Sequence, residues 1–443
     1  MSQTAYVNGG SSGGVSTAAG GTTAMGGGSS GGVSTAAGGI VGMGGISGTN
    51  QTAPMGGVFA TGGVAGTSGT GVADSGADSD AADADAGADG ADAGTSVTAI
   101  SAGYEYNCAL VGQSVRCWGR NQYGSLGDGS TVERDLPVRV QGLPSDATAL
   151  EAGGEHACAV VDGGVKCWGY NAYGELGNNA VAKSHVPVQV QDLTSGVSTV
   201  AAGSYHSCAL INGGVKCWGS NFTGSLGNNG TSDSHVPVQV TGLTTGVTSI
   251  AAGGYHTCAL VAGAVLCWGH NQYGQLGNDS TTNSRVPTQV PNLPPGVTAI
   301  TAGYGHTCAL ANGSVLCWGK NDHGQLGNGK TTDTPVAGTP LELPLDVASI
   351  QAGSFHTCAW NESQLLCWGY NGYGQLGNLS TTDMVTPVLV VGLSAGPQAV
   401  AAGSMHTCAL LDGSVHCVGR NAYGQLGDGT KEDSLVFRVV EFP

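Results

Sequence analysis

Fourteen cysteines carry the most obvious chemistry in this sequence. They come in pairs nine positions apart: Cys108 and Cys117, Cys158 and Cys167, Cys208 and Cys217, Cys258 and Cys267, Cys308 and Cys317, Cys358 and Cys367, Cys408 and Cys417. A histidine precedes the first cysteine by two positions at His156, His206, His256, His306, His356 and His406, and Tyr106 fills that slot in the first pair. Thiolate and imidazole are zinc ligands, paired thiols form disulfides, and imidazole is the common acid–base group. A zinc site needs four ligands at one point, and a catalytic centre needs several unlike groups at one point. Here every group recurs at a fixed interval, so the elements that carry it must be read first.

The interval is 50 residues, with no insertion in seven copies. Ala102, Gly103, Ala109, Gly119, Asn121, Gly124, Leu126 and Gly127 recur at the equivalent position of every copy. Within a copy, VSTVAAG from Val197 reads as strand A, HTCALV from His256 as strand B, and AVLCWG from Ala264 as strand C. PVQV reads as strand D, with Pro187 in the first position, where proline is tolerated. No copy has an apolar pattern of helical period and length. Four short antiparallel strands make one propeller blade, and seven blades close a ring without a long free edge. The expected fold is all-β: a seven-bladed β-propeller over residues 97–443, with repeats starting near 97, 147, 197, 247, 297, 347 and 397.

The turn between strands B and C fixes the cysteines. Asp162-Gly163 lies midway between Cys158 and Cys167, and Asn212-Gly213, Asn312-Gly313 and Asp412-Gly413 occupy the same slot. These dipeptides favour two-residue hairpins because both positions need φ > 0. Counting outward from the turn makes Cys158 and Cys167 a non-hydrogen-bonded pair, with Cα atoms about 4.5 Å apart, as a disulfide accepts. Seven intrahairpin disulfides are expected, each closing a ten-residue loop worth about 2.5–3 kcal/mol in the chain-entropy model. Zinc is the rival, but two opposed cysteines per blade supply half a tetrahedral site. Free buried thiols are the third reading. The histidines are expected at strand starts, bonded to neighbouring backbone. Trp118, Trp168, Trp218, Trp268, Trp318 and Trp368 are expected to pack between blades, with Val418 in that slot of the last copy.

Composition divides the chain. Residues 1–96 contain no Lys, Arg, Cys or Trp and end in an aspartate-rich run from Asp74 to Asp92. That segment has too little apolar surface to offset the entropy of ordering, and reads as a disordered Gly/Ala/Ser/Asp-rich linker or tether. The run lacks the glycine-rich calcium nonapeptide, and a solvated linker is preferred to a Ca²⁺ site. The remainder holds 23 of the 30 acidic residues against all 13 basic ones, a net charge of −10. With no basic cluster, nucleic acid is not an expected partner. No apolar run is long enough to span a membrane. Disulfides at this density favour an extracellular, cell-surface or periplasmic setting, whereas the N-terminus lacks a signal-peptide pattern and leaves a cytoplasmic one open.

AAGSYHSCAL from Ala201 and GHNQYGQLGN from Gly269 resemble the regulator of chromosome condensation repeat, the unit of a seven-bladed propeller. The resemblance covers about 97–443 and implies the fold more strongly than any one function. The paired cysteines depart from that family's pattern, which is ordinarily apolar at those positions. The repeats show no nucleophile elbow, zinc-protease motif or cluster of unpaired acids, so no enzyme and no cofactor is expected. Variation concentrates in the two-residue A–B turns and the C–D loops, which topology puts on one face. The expected partner-binding residues there are Tyr104, Tyr205, Tyr255, Tyr304, Phe355 and Met405, with Arg285 and Asp333 as a polar rim. The expected function is a non-enzymatic protein-binding propeller, a monomeric ring displayed outside the cell. The alternative is the activity that named the family, guanine-nucleotide exchange on a small GTPase. The uninterrupted period lacks the wedge-like insertion that activity implies.

Overall fold

The computed structural model describes residues 96–443 except Gln113, Ser145 and Leu345. Residues 1–95, where the tether was expected, lie outside the described residues. The first blade comprises strands A (Val97–Ala102), B (Tyr106–Val111), C (Ser114–Gly119) and D (Arg134–Arg139), and the second Ala147–Ala152, His156–Val161, Gly164–Gly169 and Ser184–Gln189. All seven repeats form four-stranded antiparallel sheets in the order A-B-C-D, and no helix occurs among the described residues. The fold is a seven-bladed β-propeller of four-stranded blades.

The hairpin chemistry acts as the sequence requires. Asp162 and Gly163 take φ of 52° and 72°, and Asn212 and Gly213 take 51° and 78°. In the fourth blade Ala262 occupies the slot at φ 49°, a left-handed conformation that an alanine pays for in Cβ crowding. In the sixth blade Asn361 closes the turn with its side chain, its Oδ1 accepting from the N–H groups of Ser363 (3.0 Å) and Gln364 (3.1 Å). The register therefore pairs Cys158 with Cys167, and likewise in each blade. Seven disulfides form across cysteine pairs with Cα atoms 4.0–4.1 Å apart, and no described cysteine is free.

Strand D differs from its sequence reading. It starts at Ser184, three residues before Pro187, so the proline is interior to the strand. Two features accommodate it. D is the outermost strand, so a missing N–H on its outer side breaks no ladder. A bulge also lies there: between the pairs Gly169–Ser184 and Cys167–Val188, one residue of strand C faces three of strand D.

The blades are joined around the central channel by backbone. The N–H of Tyr104 donates to Gly154 O (3.2 Å), Gly154 to Gly203 (3.1 Å), Ser204 to Gly253 (3.2 Å) and Gly254 to Gly303 (3.2 Å). Tyr304 donates to Ser354 (3.2 Å), Ser354 to Gly403 (3.0 Å) and Ser404 back to Tyr104 (3.2 Å), which closes the circle. The recurring glycine is a close-approach requirement: a Cβ on Gly153 would lie 2.5 Å from the Gly203 carbonyl oxygen. The tryptophans pack between blades as expected. Each indole is buried, and Trp168 Nε1 donates to Ser125 O of the preceding blade (2.8 Å), as Trp218 does to Glu175 O (2.7 Å). In the last blade Val418 leaves that space, and Phe437 reaches into it from strand D beside Gly377.

Candidate protein-binding face

The histidines form an inter-blade ring, and their partners are side chains of the next blade where neighbouring backbone was expected. His206 Nε2 lies 2.8 Å from Thr257 Oγ1, His256 Nε2 2.8 Å from Thr307 Oγ1, and His156 Nε2 2.8 Å from Ser207 Oγ. Thr257 gives its only hydroxyl proton to Ser225 O (3.0 Å), the carbonyl that also accepts from Trp268 Nε1 (2.8 Å). His206 must therefore carry its proton on Nε2. Asn107 plays the threonine's part at the closure of the ring, accepting from His406 (2.9 Å) and donating to Gln425 O (2.7 Å). Burial holds these imidazoles neutral, with pKa values lowered to about 3 at His156, His256, His306 and His406 and about 4 at His206 and His356. They are structural links. Among the described residues no three His, Cys, Asp or Glu side chains are grouped to hold a metal.

The face that carries the A–B turns has a different character. Tyr205 stacks on Tyr255 (centroids 5.3 Å apart), Tyr255 meets Tyr304 edge-on (5.9 Å), and Tyr304 meets Phe355 (5.7 Å). The structure thus brings together the four rings expected there, each half-buried and in contact with the next. Met405, half-buried at the same turn of the seventh blade, contacts Arg420, its Sδ 3.7 Å from Arg420 Nη1. Tyr104 takes another path. It lies across the channel mouth beside Gly154 and bonds to Ser204 Oγ of the third blade (2.5 Å), and burial pushes its hydroxyl well above the usual phenol range. Arg285 does not lie in a loop: it is the second residue of strand D in the fourth blade (Ser284–Gln289). Asp333 accepts the N–H of Asn321 (2.8 Å) and so holds its own C–D loop. The structure brings neither residue to the rings.

The polar groups of this face come from a slot that sequence reasoning missed, the position after the recurring Gly119. It holds Arg120, Tyr170, Lys320, Tyr370 and Arg420. A second missed slot holds Tyr123, Tyr173, Tyr273, Tyr373 and Tyr423. Their signal was variation next to the invariant Asn121. That buried asparagine accepts the Leu126 N–H (3.0 Å) and donates to Val132 O (3.0 Å), so it folds the C–D loop and aims its neighbours upward. With these residues the arc becomes a belt. Tyr123 meets Tyr170 (5.0 Å), Tyr170 meets Tyr205 (6.4 Å), and Phe355 meets Tyr370 (6.4 Å). Tyr370 meets Tyr373 (6.4 Å), Arg420 lies over Tyr373 and Tyr423 (5.3 and 5.5 Å), and Arg120 lies over Tyr423 (5.2 Å). All seven blades contribute. Phe222, at 60% exposure the most open large apolar side chain among the described residues, abuts Tyr255 (5.1 Å).

One sector is charged. Arg120 Nη1 bridges Glu105 (3.1 Å) and Glu155 (2.8 Å), and Arg420 pairs with the other oxygen of Glu105. Burial raises Glu155 to about 7, against the pull of Arg120. Beside this cluster a cavity of about 150 Å³ is lined by Tyr104, Glu105, Arg120, Tyr304, Phe355 and two serines. Aromatic walls and a few convergent polar groups suit the capture of a partner side chain.

Seven four-stranded blades of fixed period, tied by one glycine ring, define a repeat propeller whose variable residues gather on one face. The chain belongs to the RCC1-like domain family: the profile with that description matches residues 56–345, and those for the regulator of chromosome condensation (RCC1) repeat match 362–410 and 398–425. Among solved structures, human WBSCR16 is 26% identical, with a TM-score of 0.62 over 70% of this chain and 85% of that one. Prp20p from Saccharomyces cerevisiae, studied for its binding to Gsp1p and histones, is 23% identical, with a TM-score of 0.64 over 78% of this chain and 87% of that one. Yeast RCC1 (Prp20) bound to Kap60 is 23% identical, with a TM-score of 0.66 over 78% and 85%. Likeness at 23% speaks to the fold alone. No curated protein matches the chain.

Proposed function

We propose that this propeller is a non-enzymatic protein-binding module that works in an oxidising setting outside the cytoplasm and grips its partner with the aromatic belt. The belt carries the reading: a contiguous band of half-buried tyrosines with stacked arginines is the composition of an interface core. The buried disulfides favour the compartment. The entry point of the chain fits display. Ser96 O accepts from Gly112 N–H (3.2 Å) in the lower B–C turn, so residue 96 sits on the face opposite the belt.

The test compares partners recovered from the native secreted fraction by the wild-type protein and by variants. Tyr255→Ala and Phe355→Ala are each expected to weaken capture by about 1–3 kcal/mol and to leave Tm nearly unchanged. Asn212→Ala, in a lower hairpin turn, should lower Tm and leave capture intact. A partner held equally well by a Tyr255→Ala/Phe355→Ala double variant would remove the belt from the interface. A second expectation separates this reading from nucleotide exchange. The protein should not accelerate release of a fluorescent nucleotide from small GTPases, and a many-fold acceleration at substoichiometric amounts would reverse the proposal.

A further inference from the structure

Strand D is the free edge of every blade, and exposed edges are ordinarily blunted against pairing. Six of the seven are blunted by proline: Pro137, Pro187, Pro237, Pro287, Pro335 and Pro387 each lie inside their D strand. The seventh, Ser434–Val439, reads SLVFRV and contains none. Phe437 occupies the slot of Pro387 one repeat earlier and restores the donor that proline removes. Its orientation follows from alternation. Val440 N–H donates inward to Val415 O (2.8 Å), so the backbone groups of Val439 and Phe437 face outward.

Two further observations set this edge apart. At six blade junctions the C–D loop of one blade donates a backbone N–H to the second residue of strand D in the next, as Gly329 does to Val385 O (2.9 Å) and Gly429 to Asp135 O (3.1 Å). Among the described residues the corresponding bond from Leu379 to Leu435 is not formed, so that carbonyl is unclaimed as well. The side chains are also apolar and open: Leu435, Val436 and Val439 are 39%, 42% and 52% exposed, and Leu389 and Val391 of the neighbouring blade are 55% and 44% exposed.

We propose that this edge pairs with the same edge of a second copy, antiparallel about a two-fold axis through Val436, joining two blades into an eight-stranded sheet. The register is self-complementary. In this register Leu435 lies opposite Phe437 of the second copy, Arg438 opposite Ser434, and Lys431 opposite Glu441 at both ends. A slide of two residues the other way would set Asp433 against Glu441. Antiparallel pairing turns the two rings over relative to one another, so both aromatic belts stay open and point in opposite directions. The inference concerns the rim and does not rest on the function proposed for the face. It is offered against the monomeric ring expected from sequence.

Sedimentation equilibrium of the full chain in about 0.15 M salt tests it. The expected species has twice the 43.6 kDa chain mass. The double variant Val418→Trp/Phe437→Pro gives the seventh blade the pattern of the sixth, refilling the inter-blade space while blunting the edge. Val436→Lys/Val439→Lys charges the same edge without touching that space. Each is expected to raise the dissociation constant about tenfold or more while keeping the wild-type Tm. A wild-type protein of single-chain mass throughout the micromolar range overturns the proposal, as do dimers that survive both variants.

Discussion

Full reduction under native conditions is expected to unfold the ring. Each bridge closes a separate ten-residue loop, so the seven contributions of about 2.5–3 kcal/mol add to roughly 18–21 kcal/mol in the chain-entropy model. That exceeds the net stability of about 5–15 kcal/mol typical of a whole domain. Reduction should be slow, because every sulfur pair is buried and becomes reachable only when its blade opens. Intact mass after alkylation measures the state: no alkyl groups before reduction and fourteen after it in denaturant. Circular dichroism should show the β signal collapsing in step with reduction. Native material that takes up fourteen alkyl groups unreduced would sink both the bridges and the oxidising setting inferred from them.

Acid should unfold the protein nearly as effectively. The six ring histidines have folded pKa values lowered to about 3 or 4, below the ordinary 6.5, because burial opposes their charge. Protonation would fall on Nδ1, which has no partner in His156, His256, His306, His356 and His406. Their stabilisation is complete above pH 6.5 and is lost as pH falls toward the folded values. Glu151, Glu155 and Glu175 act in the opposite sense. Burial raises each to about 7, so their contribution is complete below about pH 4.5 and is lost as pH rises through 7. Between those limits the unfolded chain binds six more protons at histidine and three fewer at glutamate. The net of three gives a loss of about 4 kcal/mol per pH unit on acidification. Urea midpoints should therefore fall steeply from pH 6.5 to 5. His306→Gln keeps a donor for Thr357 and removes one titrating group, so it should flatten the slope by about 1.4 kcal/mol per pH unit. Midpoints that are level from pH 7 to 5 would contradict the neutral, Nε2-protonated histidine ring.

Legibility followed the range of the interactions. The hairpins, their register and the cysteine pairing were readable because a two-residue turn fixes everything within ten residues of it. The blade count was readable from a period without insertions. Strand D was misplaced at its start because its first residues pair across a bulge, and a bulge leaves no mark in an alternating pattern. The slots of Arg120 and Tyr123 were not legible because their side chains are aimed by the fold of the C–D loop around Asn121 and find their partners only on neighbouring blades.

The sequence by itself determined the seven blades, the disulfides and the side of the ring on which variation collects, because each repeats a local rule seven times. The tertiary structure alone decided what those repeats do to one another. His206 and Thr257 stand 51 residues apart and meet only because blade follows blade, and Asn107 and His406 meet only because the ring closes. The same closure turns separate tyrosines, phenylalanines and arginines from all seven blades into one belt. It also shows that Val418 and Phe437, 19 positions apart and unremarkable singly, are one compensating exchange that leaves a single edge of the propeller unguarded.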